Sequence, residues 1–316
     1  MVAVVVGLAL LGGAVAGALL EQGKASPIVA PPNSIARIDQ AGTHVESYQP
    51  VGTDPVAIDV GFRSVWVANA DDGTVERLDP ATGRPVRPPI AVAPADLSDI
   101  AVGLGSVWVA DGNDGRVTQI DPRTNQVVKS TNQAKPAVAP TPVFYVAVDA
   151  HHVWATRGNQ LLRLDPQRNH VEMSITIGTP TGLTTGGGYV WVTTQSQNLL
   201  RIDPSTMKHV GGPSFEAGVW SPVYAHHSLW LIVGTELHQI DPTTLNTEHV
   251  VQAGEGPASL GADSQALWAV HFRNGNLTRV TPDGRRSLHV GRSLSAVATG
   301  GGFTWVAVSA LARPGG

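Results

Sequence analysis

Ile100-Ala101-Val102-Gly103-Leu104-Gly105-Ser106-Val107-Trp108-Val109-Ala110-Asp111 reads as two short apolar strands joined by a glycine turn. The second strand carries a tryptophan between valines, and that strand recurs along the chain. It stands at Val65-Trp66-Val67, Val107-Trp108-Val109, Val153-Trp154-Ala155, Val190-Trp191-Val192, Leu229-Trp230-Leu231, Leu267-Trp268-Ala269 and Thr304-Trp305-Val306. The tryptophans are spaced by 42, 46, 37, 39, 38 and 37 residues. Seven of the eight tryptophans therefore belong to a repeat, and only Trp220 falls outside it. A second marker keeps the beat, an apolar residue followed by Asp-Pro. It occurs at Leu78-Asp79-Pro80, Ile120-Asp121-Pro122, Leu164-Asp165-Pro166, Ile202-Asp203-Pro204 and Ile240-Asp241-Pro242, and degenerates at Val280-Thr281-Pro282 and Ile38-Asp39-Gln40.

Each unit reads as four short strands. In the first full copy they are Pro55 to Val60, Ser64 to Asn69, Thr74 to Leu78 and about Arg84 to Val92. Gly73 tolerates the positive φ of the second turn. Asp79-Pro80 opens the third turn, with Asp bonding the local backbone and Pro presetting φ. A period near 40 residues with four strands is the unit of a β-propeller. The continuous apolar run Val65-Trp66-Val67-Ala68 fits a strand buried on both faces between neighbouring blades. The N-terminal copy holds only strands three and four, and the C-terminal copy only strands one and two. The expectation is an all-β, seven-bladed propeller of four-stranded antiparallel blades over residues 34–309. The N-terminal strands would pair with the C-terminal ones and close the ring.

Composition limits what such a ring does. A net charge of −4 argues against a nucleic-acid partner, which needs a basic face to displace counterions. Zero cysteines exclude disulfides, zinc ribbons and thiol catalysis. The basic residues are 17 Arg against 4 Lys, a skew read as genomic base composition. Val2 to Leu20 is an uncharged, mostly apolar run of membrane length. It is expected as one hydrophobic helix over residues 1–20, a signal-anchor or transmembrane segment. A signal peptide cleaved near Ala14-Val15-Ala16 and a buried soluble helix are the alternatives. A Pro-containing linker (21–33) and a tail (310–316) flank the ring. The expected location is the extracytoplasmic side of a cell membrane, or secretion. The missing basic flank also fits a cytoplasmic module upstream of Met1.

The unit at Ile100 to Asp111, followed by Asp114-Gly115-Arg116-Val117 and Ile120-Asp121-Pro122, resembles the YncE/YVTN and virginiamycin B lyase-like propeller repeats of bacteria. The resemblance covers residues 34–309. It implies a propeller of the kind found in actinobacterial secreted proteins and in the outer parts of membrane-anchored receptor kinases and regulators. The lyase relatives are metal-dependent and open a cyclic depsipeptide by elimination, using Glu and His around the channel. The only Glu-x-His here is Glu236-Leu237-His238, in a third strand. The quinone-binding relatives carry a Trp after the third turn, where this chain has Gly83-Arg84-Pro85.

Ligands of propellers sit at the channel mouth, lined by the loops entering each first strand and those after each second strand. The entering loops supply Asp54, Asp99, Tyr145, Trp220, Tyr224, Glu255 and Arg292. The later loops supply Asn69, Asp71, Asp111, Asn113, Arg157, Gln195, His271 and Arg273. Acids, amides, aromatics and Arg together suit a small molecule, glycan, peptide or protein partner. Trp220 is expected as a stacking platform or a cap over the ring. His271 is the weak candidate for a catalytic base or metal ligand. The other members of the expected ligand set are Tyr224, Asp54, Asp99, Glu255, Arg157, Arg273 and Arg292. His151-His152 and His226-His227 read as turn residues, and the triple-glycine runs at 186–188 and 300–302 as turns without phosphate. The leading expectation is a monomeric binding or sensor propeller without catalysis or cofactor. The alternatives are a lyase-like enzyme with a divalent metal such as Mg2+, and the sensor portion of a longer receptor kinase or transcriptional regulator.

Overall fold

The computed structural model describes residues 27–112, 114–131 and 143–310. The expected membrane-length helix, residues 21–26 of the linker and residues 311–316 of the tail lie outside these residues. Within them no helix is long and apolar enough to cross a membrane. Seven antiparallel sheets form the ring, six of four strands and one of three. Blades 1 to 6 start at the inner strands Pro55–Gly61, Leu97–Gly103, Val143–Val148, Pro180–Gly186, Val219–Ala225 and Pro257–Ala262. Blade 7 is composite. Its order from outside in is Val45–Pro50, Ser34–Ile38, Phe303–Val308 and Leu294–Gly300. Ser34 faces Val308 and Ile38 faces Thr304 across the closing seam. The ring therefore closes as the half-copies at the two ends predict, with no free edge at the joint.

Burial follows strand position. Ser64–Asn69 and Ser106–Asp111 are buried at every residue, whereas the outer strand Gly284–His289 is almost wholly exposed. Each repeat tryptophan points forward into the next blade. Trp66 packs with Val107 and Val109, Trp108 with Val153 and Ala155, and Trp305 with Val65 and Val67. The indole N–H is satisfied locally in six of the seven, Trp230 being the exception. Trp66, Trp108, Trp191 and Trp305 donate to the carbonyl of the glycine five residues earlier. In blades 3 and 6 the Asp149 and Asp263 carboxylates take that role.

Arginine from the third strand clasps the next blade. Arg77, Arg163 and Arg201 donate to the carbonyls of Pro122, Pro204 and Pro242 at 2.6, 3.0 and 2.9 Å, and Arg37 to that of Ala81. Arg77 and Arg201 also lie over the rings of Trp66 and Tyr189. Part of the arginine excess thus has structural work at the seams, beyond genomic composition.

Three details depart from the sequence expectation. The fourth strand of blade 1 shrinks to Ile90–Ala91, with an isolated bridge from Leu78 to Pro85, because Pro85, Pro88 and Pro89 bring no N–H to the ladder. Blade 4 keeps only bridges from Asn198 to Ser214 and from Ile202 to His209, across the interruption Gly211-Gly212-Pro213. Trp230, alone of the seven repeat tryptophans, is partly exposed. The blade after it turns in two residues, Thr281 facing Gly284, where blade 3 spends four between Asp165 and His170. The shortened turn leaves a cavity of about 560 Å³ beside Trp230.

Deletion of residues 34–50 should abolish cooperative thermal unfolding, because it exposes Phe303–Val308 as a bare edge. A truncated protein that melts as the full chain does would contradict the closing seam.

Candidate functional site

Every inner strand is interrupted at the same height. The register shifts between Pro55 and Ala57, Leu97 and Asp99, Val143 and Val146, Pro180 and Gly182, Trp220 and Val223, Pro257 and Ser259, and Leu294 and Ala296. Such bulges re-aim side chains that a regular ladder would send into the neighbouring blade. All seven lie near the mouth end, and all seven inner strands line one axial cavity of about 720 Å³. Its functional groups are the Trp220 and Tyr145 rings, the Asp99 carboxyl, and the hydroxyls of Ser98, Thr181, Ser221, Ser259 and Ser295. Val56, Leu183 and Val297 supply apolar wall.

Most of these polar groups also sew adjacent inner strands together. Thr181 donates to the Val219 carbonyl at 2.6 Å, and Ser295 to that of Pro55 at 2.5 Å. Ser221 accepts from the Leu260 amide at 2.9 Å. Asp99 accepts from its neighbour Ile100 and from Val146 of the next blade, both at 2.9 Å. Asp59 does the same with Val60 and Val102, both at 2.7 Å. The indole of Trp220 donates to the Pro257 carbonyl at 3.2 Å, which holds its ring at the seam of blades 5 and 6.

The electrostatics of the wall are one-sided. Desolvation pushes Asp99 up to about 7, and the nearby Asp59 charge adds to it against the two amide hydrogen bonds. Asp59 is pushed up to about 6 by desolvation. Tyr145 is pushed up to about 12 by desolvation and by the Asp99 charge. Among the described residues neither aspartate has an ion-pair partner.

The sequence-predicted residues divide. Asp99 and Trp220 meet in the axial cavity, although both sit on inner strands and not in the loops that enter them. Tyr224 is at the far end of its strand. Its ring covers Gly186 and Gly187, where a β-carbon would stand 2.1 and 3.0 Å from Tyr224, so the expected mouth position is corrected. Asp54 lies in the loop before Pro55–Gly61 with φ at 55°, and its amide bonds to the Asn33 side chain. Glu255, Arg273 and Arg292 are exposed on the rim, and Arg157 is half-buried at the end of Val153–Arg157.

His271 is not at the mouth surface. It is buried, Nδ1 against the Glu255 carbonyl at 3.0 Å and Nε2 against the Thr278 hydroxyl at 2.9 Å. Burial, foremost, lowers its pKa. Both ring nitrogens are committed, so the ring as placed has none to offer a metal or a substrate proton. No three His, Asp or Glu side chains cluster to hold a metal among the described residues.

Sequence reasoning missed Asp59 and the bulge hydroxyls. Asp59 had a signal, a lone charge inside the apolar run Pro55–Gly61. The bulges had none, since they arise from the curvature of a closed ring.

No family model matches the chain, and no curated protein matches it. Solved structures match in fold. Virginiamycin B lyase from Staphylococcus aureus superposes with a TM-score of 0.69 at 15% identity, over 87% of this chain and 95% of that one. A chain of the mitotic checkpoint complex superposes at 0.63 with 14% identity, over 80% and 88%. The class is thus a seven-bladed propeller similar to that of virginiamycin B lyase. Identity this low carries the fold alone.

The raised carboxyls give a signed pH effect. Folding favours protonated Asp99, so between about pH 4 and 7 the folded state binds more protons than the unfolded one, and stability falls as pH rises through that window. Asp99→Asn should therefore cost less melting temperature at pH 8 than at pH 5. An equal cost at both pH values would contradict the shifted carboxyl.

Proposed function

We propose that the chain is an extracytoplasmic binding or sensor propeller that holds a small ligand in its channel mouth and has no catalysis of its own. The observation that carries this reading is the meeting of Trp220, Tyr145 and Asp99 in one axial cavity of about 720 Å³. That size suits a small molecule or the end of a glycan or peptide. An aromatic face, one acid and an apolar wall are orienting groups for such a ligand. The apolar run Val2 to Leu20 supports a tethered or exported protein. In this reading the ring acts as a monomer. A longer receptor kinase or regulator is the setting in which occupancy of the channel would be sensed.

The likeness to virginiamycin B lyase favours a second reading, a lyase-like enzyme opening a cyclic depsipeptide or lactone. The lack of a three-residue metal cluster among the described residues weighs against a metal-dependent version of it.

A thermal-shift screen of sugars, amines, amino acids and carboxylates tests the proposal, run on wild type and Trp220→Ala. A ligand at 100 times its Kd adds about 2.7 kcal/mol of stability. At least one compound should stabilise wild type and leave Trp220→Ala unmoved. Compounds that shift both proteins equally, or none that shifts either, would overturn the channel reading.

A further inference from the structure

The axial wall has a charge pattern that the repeat does not require. The seven inner strands contain Asp59 and Asp99 and no Lys, Arg, His or Glu. The protein has 21 Lys and Arg residues elsewhere, four of them spent on clasping blades at the third strand. Other inner strands make their seam bonds with neutral hydroxyls, as Thr181, Ser221 and Ser295 do. Asp99 makes the equivalent bond with a carboxylate inside a cavity, where an anion without a cation is costly. A neutral group would serve the seam at less cost.

We propose that the channel mouth is a receptor for an organic cation, an amine or quaternary ammonium, held between the Asp99 carboxylate and the faces of Trp220 and Tyr145. The inference rests on the channel reading above and names its ligand class. Three features meet in the one cavity. Among the described residues Asp99 is the only charged residue of its lining. Two amide hydrogen bonds fill only part of the acceptor capacity of that carboxylate. Trp220 and Tyr145 add two aromatic rings to the same lining, and a cation over an aromatic face gains more when it is desolvated. Low-dielectric walls and a single sign of charge concentrate counter-ions in a cleft. The protein uses the same chemistry internally, with Arg37 lying 4.2 Å from the Phe303 ring centre and Arg77 5.0 Å from that of Trp66. A compact metal ion is a poorer match, since metal binding calls for several converging donors and the cavity lining offers one carboxylate.

Ionisation of Asp99 links binding to pH. The ionisable groups on the strands packed against Leu97–Gly103 are Asp59 of blade 1, Asp111 at the end of Ser106–Asp111 and Tyr145 of blade 3. Among the described residues none of these groups is a base. A bound cation favours the ionised carboxyl, and its affinity falls as Asp99 takes up its proton.

Calorimetric titration with choline and with its neutral carbon isostere 3,3-dimethylbutanol tests the proposal, using the full chain at pH 8.0 and pH 5.5. Choline should bind at least about tenfold tighter than the isostere at pH 8.0. That preference should shrink at pH 5.5 and vanish in Asp99→Asn. Circular dichroism checks that the variant is folded. Trp220→Leu, which leaves the carboxyl in place, should weaken choline more than the isostere. Equal binding of both probes, lost together in Trp220→Leu, overturns the cation class and keeps the channel. Binding of neither probe at millimolar concentration to a protein that passes the Trp220-dependent screen with neutral ligands also overturns the cation class. Binding of choline unaffected by Trp220→Leu and by Asp99→Asn overturns both the class and the site.

Discussion

Everything in this protein depends on one antiparallel pairing, Ser34–Ile38 against Thr304–Val308. It joins chain segments about 270 residues apart and is in register only when all seven blades are in place. Once made, it turns an open fan of sheets into a ring. Closure supplies the second face for Trp305, which packs on Val65 and Val67 of blade 1, and for Trp268, which packs on Val306 and Val308. It also brings Ser295 to the Pro55 carbonyl, the inner bond of the same joint. The axial cavity exists only because the inner strands are forced to converge there.

The seams are built in three layers, and the layers differ in what they allow. In the middle of each blade, buried tryptophan against valine is indifferent to pH and salt. Farther out, arginine reaches a proline carbonyl in the next blade's turn. At the axis, hydroxyls bond to neighbouring carbonyls and amides, and carboxylates to amides, beside an open space. Only this inner layer is both structural and reachable by a ligand. A charge placed there serves the seam poorly and a ligand well, and Asp99 is the carboxyl of this layer that lines the cavity. Stability and binding share the same carboxyl, and a cation that favours its ionised form would strengthen the ring it sits in.

The fold was legible because it is written seven times. Trp-centred strands and Asp-Pro turns recur at the period of one blade, and the half-copies at either end announce the joint. Local exceptions were legible only in part. The prolines at 85, 88 and 89 argue against a full fourth strand, yet the repeat suggests one. Thr281 in place of the turn aspartate marks the shortened turn that leaves Trp230 partly uncovered, although its consequence lies in the preceding blade. The candidate site was harder to read, for a physical reason. Trp220 stood out as the tryptophan off the beat and lies in the cavity. Asp99 was placed in a loop because the bulge after Leu97 hides the start of the strand. Tyr224, four residues beyond Trp220, runs down the strand to the opposite end and fills the space over Gly186. His271 follows a Trp strand as a mouth residue would, but its ring turns inward to Glu255 and Thr278. Which way a side chain turns at a strand end is decided by packing across the seam, and a single repeat unit does not encode that.

The most direct test of this account is amide hydrogen exchange at the joint, read by mass spectrometry on the intact chain. Ile35 to Ile38 and Thr304 to Val308 should exchange as slowly as Val107 to Ala110 in the middle of blade 2, because a closed ring opens as one cooperative unit. Fast exchange confined to these two segments, with the middle blades still protected, would mean the ring is open, and the channel reading would fall with it.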